Sequence, residues 1–447
     1  MPARPDLRPT PNRGAMWGGS GCIASSSDHQ PVTSAPLESF MSSVLAVILV
    51  VVAGVPAFAL RLGAWAPPVE VATLLFGLGI VGAAFAMSWG AEAAEHDIPR
   101  ALALITVALL AVLPEYAVDI IFAWKAGGDS AFAAFAAANM TGSNRLLLGL
   151  GWPTVAVLTW AVRREPIIRL DRSSVPGLFF LGLATVYSFW LPWKANISLI
   201  DSVVLIGLFI AYAAIAARSE VVEPVLVGPA AAIGALPSSR RRAVVIGLFV
   251  YAAAAVAVSA EPFADGLVRT GRALGIDEFL LVQWLAPLAS EAPEFLVAIL
   301  LAVRGQAIPA LGLLLSSKIN QWTLLVGSLP IAYSVGAGSP AALPLDHRQV
   351  GEVFLTAAQS LFGLGVLASM SLSLRASAVL AGLFVAQLVA GGVLRAGFHK
   401  GSAATAELFV FGVVYLVFAI RAIVRARRGW LCFVRGASPR STGESGL

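Results

Sequence analysis

The sequence predicts an all-α polytopic membrane protein built on an inverted internal repeat, and three observations predict it. Apolar residues make up 58% of 447, charged ones 12%, and the mean hydropathy is +0.84, so the chain cannot cover itself with a polar surface. Apolar runs of about 17–25 residues, long enough to cross a bilayer as helices, recur along the chain, while the alternating segments of a transmembrane barrel do not. Two acidic motifs, "AVLPEYAVD" from Ala111 and "ASEAPEF" from Ala289, stand inside such runs at matched places in two halves.

Taken in order, residues 1–40 are rich in Pro, Ser and Arg without periodicity, which predicts a disordered tail and leaves Met41 as an alternative start. Residues 41–68 carry an additional N-terminal helix, Ser42 to Leu60. A first repeat, 69–220, holds runs centred near Gly79, Ala111, Leu147, Leu183 and Gly207. After a linker at 221–242, a second repeat, 243–397, holds runs near Ala252, Ala292, Leu325, Gly363 and Val385. An additional C-terminal helix, Leu408 to Val424 within 398–428, and a basic tail, 429–447, complete twelve predicted spans.

The net charge of +5 reads as topology rather than nucleic-acid binding. Arg163, Arg164, Arg169 and Arg172 flank one connection, Arg240 to Arg242 fill another, and Arg421, Arg425, Arg427 and Arg428 follow the last helix. With twelve spans all three groups share one side, which makes that side and both termini cytoplasmic in an inner (plasma) membrane protein. The two cysteines, Cys22 and Cys432, indicate neither a disulfide framework nor a metal cluster. No phosphate-loop or dinucleotide pattern is present, so ATP-driven transport has no support. The expected partners are membrane lipid and inorganic cations, with no nucleic acid and no obligate protein.

The repeat is legible residue by residue. Each half has a small-Ala-Glu (Glu92, Glu261), a Pro-Glu (Pro114-Glu115, Pro293-Glu294), a basic-Gly turn (Lys125 to Gly127, Arg304-Gly305) and a small-Ser pair (Gly142-Ser143, Ser316-Ser317). Glu294 follows Glu115 by 179 residues and Ser317 follows Ser143 by 174. Five helices lie between the two Pro-Glu positions, an odd number, so the second copy enters the membrane upside down. Each proline lacks an N–H for the carbonyl four residues earlier, which frees the carbonyls of Leu110 and Ala289 to face a cation. Two glutamates, freed carbonyls and nearby hydroxyl or amide oxygens make a hard-oxygen site of the kind Ca²⁺ or Na⁺ prefers.

At these residues the chain resembles the cation/Ca²⁺ exchanger superfamily, whose members carry a G-T-S-L-P-E-like motif on one helix and a G-N-x-x-G-S-N-like motif on the next. "AVLPEYAVD" with "ANMTGSN" is similar to the first pair, and "ASEAPEF" with "LLLSSKINQ" to the second. The resemblance implies an inverted-repeat exchanger fold of 5+5 core helices with one extra helix at each end, no catalytic residues and no cofactor. It also implies alternating-access antiport of Ca²⁺, or another cation, against Na⁺ or H⁺. Glu115 and Glu294 match the central acidic ligands; Asn139, Ser143, Ser290 and Ser317 match flanking oxygen donors.

The departures from that pattern set further expectations. Thr-Ser before Leu-Pro-Glu has become Ala111-Val112 in the first repeat and Ser290-Glu291 in the second, removing two hydroxyls and adding a carboxylate. The ligand position four residues after the signature serine is Leu147 in one repeat and Gln321 in the other. Lys318 stands where the second signature has Asn. Either its ammonium reaches Glu291 or Glu294 and occupies part of the ion's space, or it snorkels to an interface. Asp119, one helical turn after Glu115, is either a further ligand or proton carrier or, the commoner case, a helix-end charge facing water. Glu92 and Glu261 are assigned to packing or gating. Two other readings stay open: a monovalent Na⁺/H⁺-type antiporter on the same fold, and a non-transporting membrane homologue.

Overall fold

The structure is a computed structural model that describes residues 35–63, 65–94, 113–216, 226–397 and 401–434, with side chains at all of these except 35–40, 114–115, 396–397, 401–404 and 427–434. Expectations for the first 34 residues, the Leu110 carbonyl, Ala111, Val112 and the end of the tail lie outside the described residues, as does the Glu115 side chain.

Nine helices among the described residues are long and apolar enough to cross a membrane, and a bent pair supplies a tenth. Helix α1 (Ala35–Arg61) packs on α2 (Val69–Ala94). Its Leu45, Ile48, Leu49, Val52 and Val55 form an exposed stripe at helical spacing. Large apolar side chains repeated on one outward face suit lipid contact, the environment the composition demands. The Gly-rich face of α2 serves close approach: a Cβ at Gly77 would meet the Phe263 ring at 2.9 Å, on the long helix α10 introduced below.

Helix α3 (Leu113–Ala126) begins with Pro114 at its second position, where the missing N–H is not needed. A short turn leads to α4 (Phe132–Leu146), a π-helical turn (Leu147–Gly151) and α5 (Trp152–Arg163). Strand β1 (Ile167–Arg169), helices α6 (Val175–Ser188) and α7 (Trp190–Lys194), strand β2 (Asn196–Ile197) and helix α8 (Leu199–Ala216) close the first repeat. Short α9 (Pro229–Gly234) precedes α10 (Ser238–Leu274).

The second repeat runs over the same parts. Helices α11 (Glu278–Ser290) and α12 (Ala292–Val303) meet at a 54° break. The helix is interrupted at Glu291, with Pro293 at the second position of α12, as Pro114 is in α3. Helix α13 (Ala307–Asn320), a π-helical turn (Gln321–Leu325) and α14 (Val326–Ala337) form one run. The two π-helical turns lie 174 residues apart, the same offset as Ser143 and Ser317. Strand β3 (Leu343–Pro344), helix α15 (His347–Leu367), strand β4 (Ser371–Ser373) and α16 (Leu374–Gly397) follow. Additional helix α17 (Gly401–Val434) packs along α15.

Both small sheets among the described residues are made between repeats. Antiparallel β1 and β4 pair Ile167 with Ser373 and Arg169 with Ser371; β2 and β3 pair Asn196 with Pro344 and Ile197 with Leu343. The symmetry of the sheets is that of the chain: each repeat contributes the strand after its π-turn run (β1 after α5, β3 after α14) to one sheet and the strand before its closing helix (β2 before α8, β4 before α16) to the other.

Candidate cation site

The second repeat assembles its polar side chains at the break. Ser290 ends α11, fully enclosed, with its hydroxyl donating back to the carbonyls of Ala286 (3.2 Å) and Pro287 (3.3 Å), which leaves its oxygen lone pairs free to accept. Glu291, in the gap, is buried and accepts a hydrogen bond from Gln321 Nε2 across to the π-helical turn. Glu294, in the first turn of α12, is half-buried, and its Oε2 is enclosed without a hydrogen bond. Ser317 lies one turn before Gln321 and is half-buried. The wide turn beginning at Gln321 widens the helix at this point, a common place for π-helical turns at functional sites.

In the first repeat Asn139 and Ser143 occupy one face of α4, and both are fully buried. The helix comes so close to α11 that a Cβ at Gly142 would fall on the Gln283 carbonyl oxygen, which explains glycine beside the signature serine. Asp119 of α3 is also fully buried, beside Asn139. The expectation that Asp119 faces water fails because α4 packs directly over this face of α3.

The two halves touch at the centre. Tyr116 donates to Asn320 Oδ1 at 2.9 Å. Lys318 is completely buried and donates to Asn144 Oδ1 at 2.8 Å and to the Asn144 carbonyl at 3.0 Å, with its ammonium 4.9 Å from the centroid of the Trp322 ring. It thus pairs with neither Glu291 nor Glu294 and does not snorkel. Asn144 and Lys318 are 174 residues apart, so they are the same position of the two repeats. Equivalent residues that touch must lie at the pseudo-twofold axis.

Sequence reasoning missed Asn144 and underweighted Glu92. Asn144 was visible as the last residue of "GSN", but only the axis makes it a partner of its own repeat mate. Glu92 accepts from Ser88 at 3.0 Å and comes near enough to Glu294 for their charges to repel. Its mate Glu261 instead joins an ion-pair group at the end of α1: Arg61 (3.6 Å) and Lys125 (3.5 Å) approach Glu261, and Lys125 also meets Asp265 at 2.6 Å. A second buried network surrounds Arg145, which pairs with Glu352 at 2.6 Å, donates to Gln387 and lies 5.1 Å from the Trp284 ring centroid. Gln283 donates to Glu352 at 2.8 Å, and Gln387 to Glu407 of α17 at 2.9 Å. Among the described residues no group of three His, Cys, Asp or Glu is placed to hold a metal, so any ion here needs neutral oxygens as well.

The family model described as sodium/calcium exchanger protein matches residues 69–218 and 244–391, one stretch in each repeat. The chain belongs to this family. Among solved structures it is similar to that of the H⁺/Ca²⁺ exchanger CAX, with 39% identity over 89% of this chain and 98% of that one and a TM-score of 0.81. The Ca²⁺/H⁺ antiporter protein YfkE shares the fold, at 17% identity over 76% of this chain and 98% of that one, with a TM-score of 0.55. Comparison with curated proteins gave no match. The sodium/calcium exchanger family is one of integral membrane transporters, and the apolar helices of this chain agree with that placement.

Proposed function

We propose that this exchanger-family protein is a secondary-active cation antiporter that couples export of Ca²⁺ to entry of H⁺ or Na⁺ by alternating access. The observation that carries the reading is the helix break at Glu291, where Ser290, Glu291 and Glu294 gather opposite Gln321 in the middle of an inverted repeat. Broken helices at the repeat interface bring backbone and side-chain oxygens together at mid-membrane, and two or more carboxylates among them suit a divalent cation. The likeness to the H⁺/Ca²⁺ exchanger CAX supports Ca²⁺ as cargo. Glu115, Asn139, Ser143, Ser290, Glu291, Glu294, Ser317 and Gln321 are the proposed ligand set. The ions are cargo, and no resident cofactor or catalytic residue is required. The arginine distribution supports an inner-membrane protein with both termini in the cytoplasm, which puts the Arg61 end of α1 outside.

A second reading, monovalent Na⁺/H⁺-type exchange, is favoured by Lys318, whose ammonium takes two oxygens of Asn144 that a metal ion could otherwise use. Purified protein in liposomes separates the two. Uptake of ⁴⁵Ca²⁺ driven by an outward H⁺ or Na⁺ gradient, and abolished by Glu294→Gln, is the expected result. Monovalent exchange without Ca²⁺ movement would establish the second reading instead.

A further inference from the structure

The chain beyond Glu352 is strongly basic: it holds two acidic residues, Glu407 and Glu444, against eight arginines and one lysine. Three of those arginines meet at one place. Arg375, in the first turn of α16, and Arg421 and Arg425, at the end of the membrane-crossing part of α17, line a cavity of about 570 Å³. It lies where the ends of α15, α16 and α17 come together. All three arginines are exposed, none forms an ion pair among the described residues, and no Asp or Glu lines the cavity. Arg421 and Arg425 stand four residues apart on one helix face, where like charges destabilise the helix, and Arg375 adds a third from the facing one. Such an arrangement describes a receptor for something negative.

The rest of the cavity is of two kinds. Strand β4 adds hydroxyls: its alternation puts Ser371 and Ser373 on the cavity side and buries Leu372 on the other. The Ser373 oxygen accepts from the Ala376 amide at 3.2 Å, which leaves its proton free to donate elsewhere. Deeper in the spans the lining turns apolar, with Phe362 and Val366 of α15, Val379 of α16 and Phe418 of α17. The Phe362 and Phe418 rings lie 5.6 Å apart. Behind them α15 and α17 nearly touch, since a Cβ at Gly365 would come within 3.1 Å of the Ala419 carbonyl oxygen. Positive and hydroxyl groups at the helix ends, with an apolar wall toward the middle of the membrane, match the polarity of a phospholipid. The cavity on the β1 side of the same sheet, about 520 Å³, makes the contrast, because its Arg163 and Arg169 are accompanied by Glu165.

We infer that the cavity between α15, α16 and α17 binds an anionic phospholipid, its phosphate held by Arg375, Arg421, Arg425 and the Ser373 hydroxyl and an acyl chain lying on the wall of Phe362 and Phe418. The planar guanidinium matches phosphate oxygens in pairs, and basic pockets between membrane helices suit such headgroups. A free phosphate would answer the arginines and leave the apolar wall unused; a phospholipid uses both. The occupant ties the additional helix α17 to the first turn of α16 and to β4, whose Ser371 pairs with Arg169 of the first repeat. The site stands apart from the cation ligands, so the inference rests on the membrane placement of the chain and not on the antiport reading.

The test titrates the purified full-length protein in detergent with phosphatidylglycerol, phosphatidylcholine or inorganic phosphate, reading bound lipid by native mass spectrometry and stabilisation by the rise in melting temperature. The parent should bind phosphatidylglycerol about tenfold or more tightly than phosphatidylcholine, and inorganic phosphate should leave the melting temperature unchanged. Arg375→Gln with Arg421→Gln should lower phosphatidylglycerol affinity by about tenfold or more, while the charge-matched pair Arg240→Gln with Arg242→Gln, in exposed positions at the start of α10, should stay within about twofold of the parent. Val379→Phe fills the apolar wall without touching a charge and should weaken phosphatidylglycerol as well, which keeps the test open if the arginine variant fails to fold. Equal losses in the two arginine pairs would overturn the site in favour of diffuse attraction to the whole basic face. Equal binding of the two lipids would overturn recognition of the phosphate's charge. Stabilisation by inorganic phosphate that matches phosphatidylglycerol and survives Val379→Phe would overturn the lipid and leave a free anion.

Discussion

In the second repeat, polar side chains crowd a helix break: Ser290 and Glu291 precede Pro293, Glu294 follows it, and Gln321 answers from the neighbouring helix. In the first, the helix after Pro114 carries Asp119 four residues past Glu115, against Asn139, and the positions before the proline are Ala111 and Val112. At the centre the same contrast recurs, with Asn144 of one repeat accepting from Lys318 of the other, and with buried, ion-paired Arg145 standing where the second repeat has buried Ile319. The backbone keeps the symmetry down to the register of the π-helical turns, while the side chains abandon it. Rocking between two states needs equivalent backbones; coupling two different ions needs inequivalent ligands.

The sharpest way to break this comparison is to remove the carboxylates singly. Glu294→Gln should lower Ca²⁺ affinity by about two to three orders of magnitude, the roughly 3–4 kcal/mol at the lower end of losing one partner of a buried charge pair. Glu115→Gln should do the same if the halves contribute equally; ⁴⁵Ca²⁺ binding reads both, and unequal losses would show that one repeat dominates. Next in size is Arg145→Met, which takes the nearest positive charge from buried Glu352 and leaves it Gln283 and, at 3.8 Å, Arg395; it should destabilise the fold by about 3 kcal/mol, against under about 1.5 for Ile319→Met at the matching place. Unfolding in detergent measures both, and adding Glu352→Gln to Arg145→Met should recover much of the loss.

Lys318→Asn would restore the symmetric signature. Removing its charged hydrogen bonds should change monovalent-cation affinity by about tenfold, since such bonds contribute about 1.5–3 kcal/mol. Proteoliposome flux at varied Na⁺ and pH checks it, and an unchanged stoichiometry and pH profile would show that the ammonium is a structural pin. The smallest effect belongs to the half-exposed group at the Arg61 end. Lys125→Ala should alter stability by no more than about 1 kcal/mol and transport rate by a few-fold. Its mate Arg304 is exposed, so Arg304→Ala should change less still in the same assay.

The fold was legible because membrane helices announce themselves by composition, and the repeat because prolines and glutamates are rare enough in apolar runs to mark register. Spacing along one helix, however, cannot tell which neighbour covers a face. Asp119 shares a helical face with Glu115, which is as true of a water-facing carboxylate as of an enclosed one; only the packing of α4 decides. Lys318 illustrates a different limit. Its position in the signature was evident, but its partner depends on the placement of the pseudo-twofold axis, which is a property of two helices together. The Arg145 network needed α15, α16 and α17 to converge, and no local motif connects Glu352, Gln387 and Glu407. A charged residue within an apolar run is the signal that could have found it.

The two small sheets bear on how the molecule is made. Strands β1 and β2 are finished by residue 197, yet their partners β3 and β4 begin at residues 343 and 371. During synthesis the first repeat therefore waits in the bilayer with both strands unpaired until nearly the whole chain has emerged. Exposed strand edges invite pairing with whatever edge is nearest, and a second nascent copy offers the same ones. Assembly of this protein is thus a race between completing one chain and meeting another, and separating the repeats onto two polypeptides would turn that race into a requirement that they be made together.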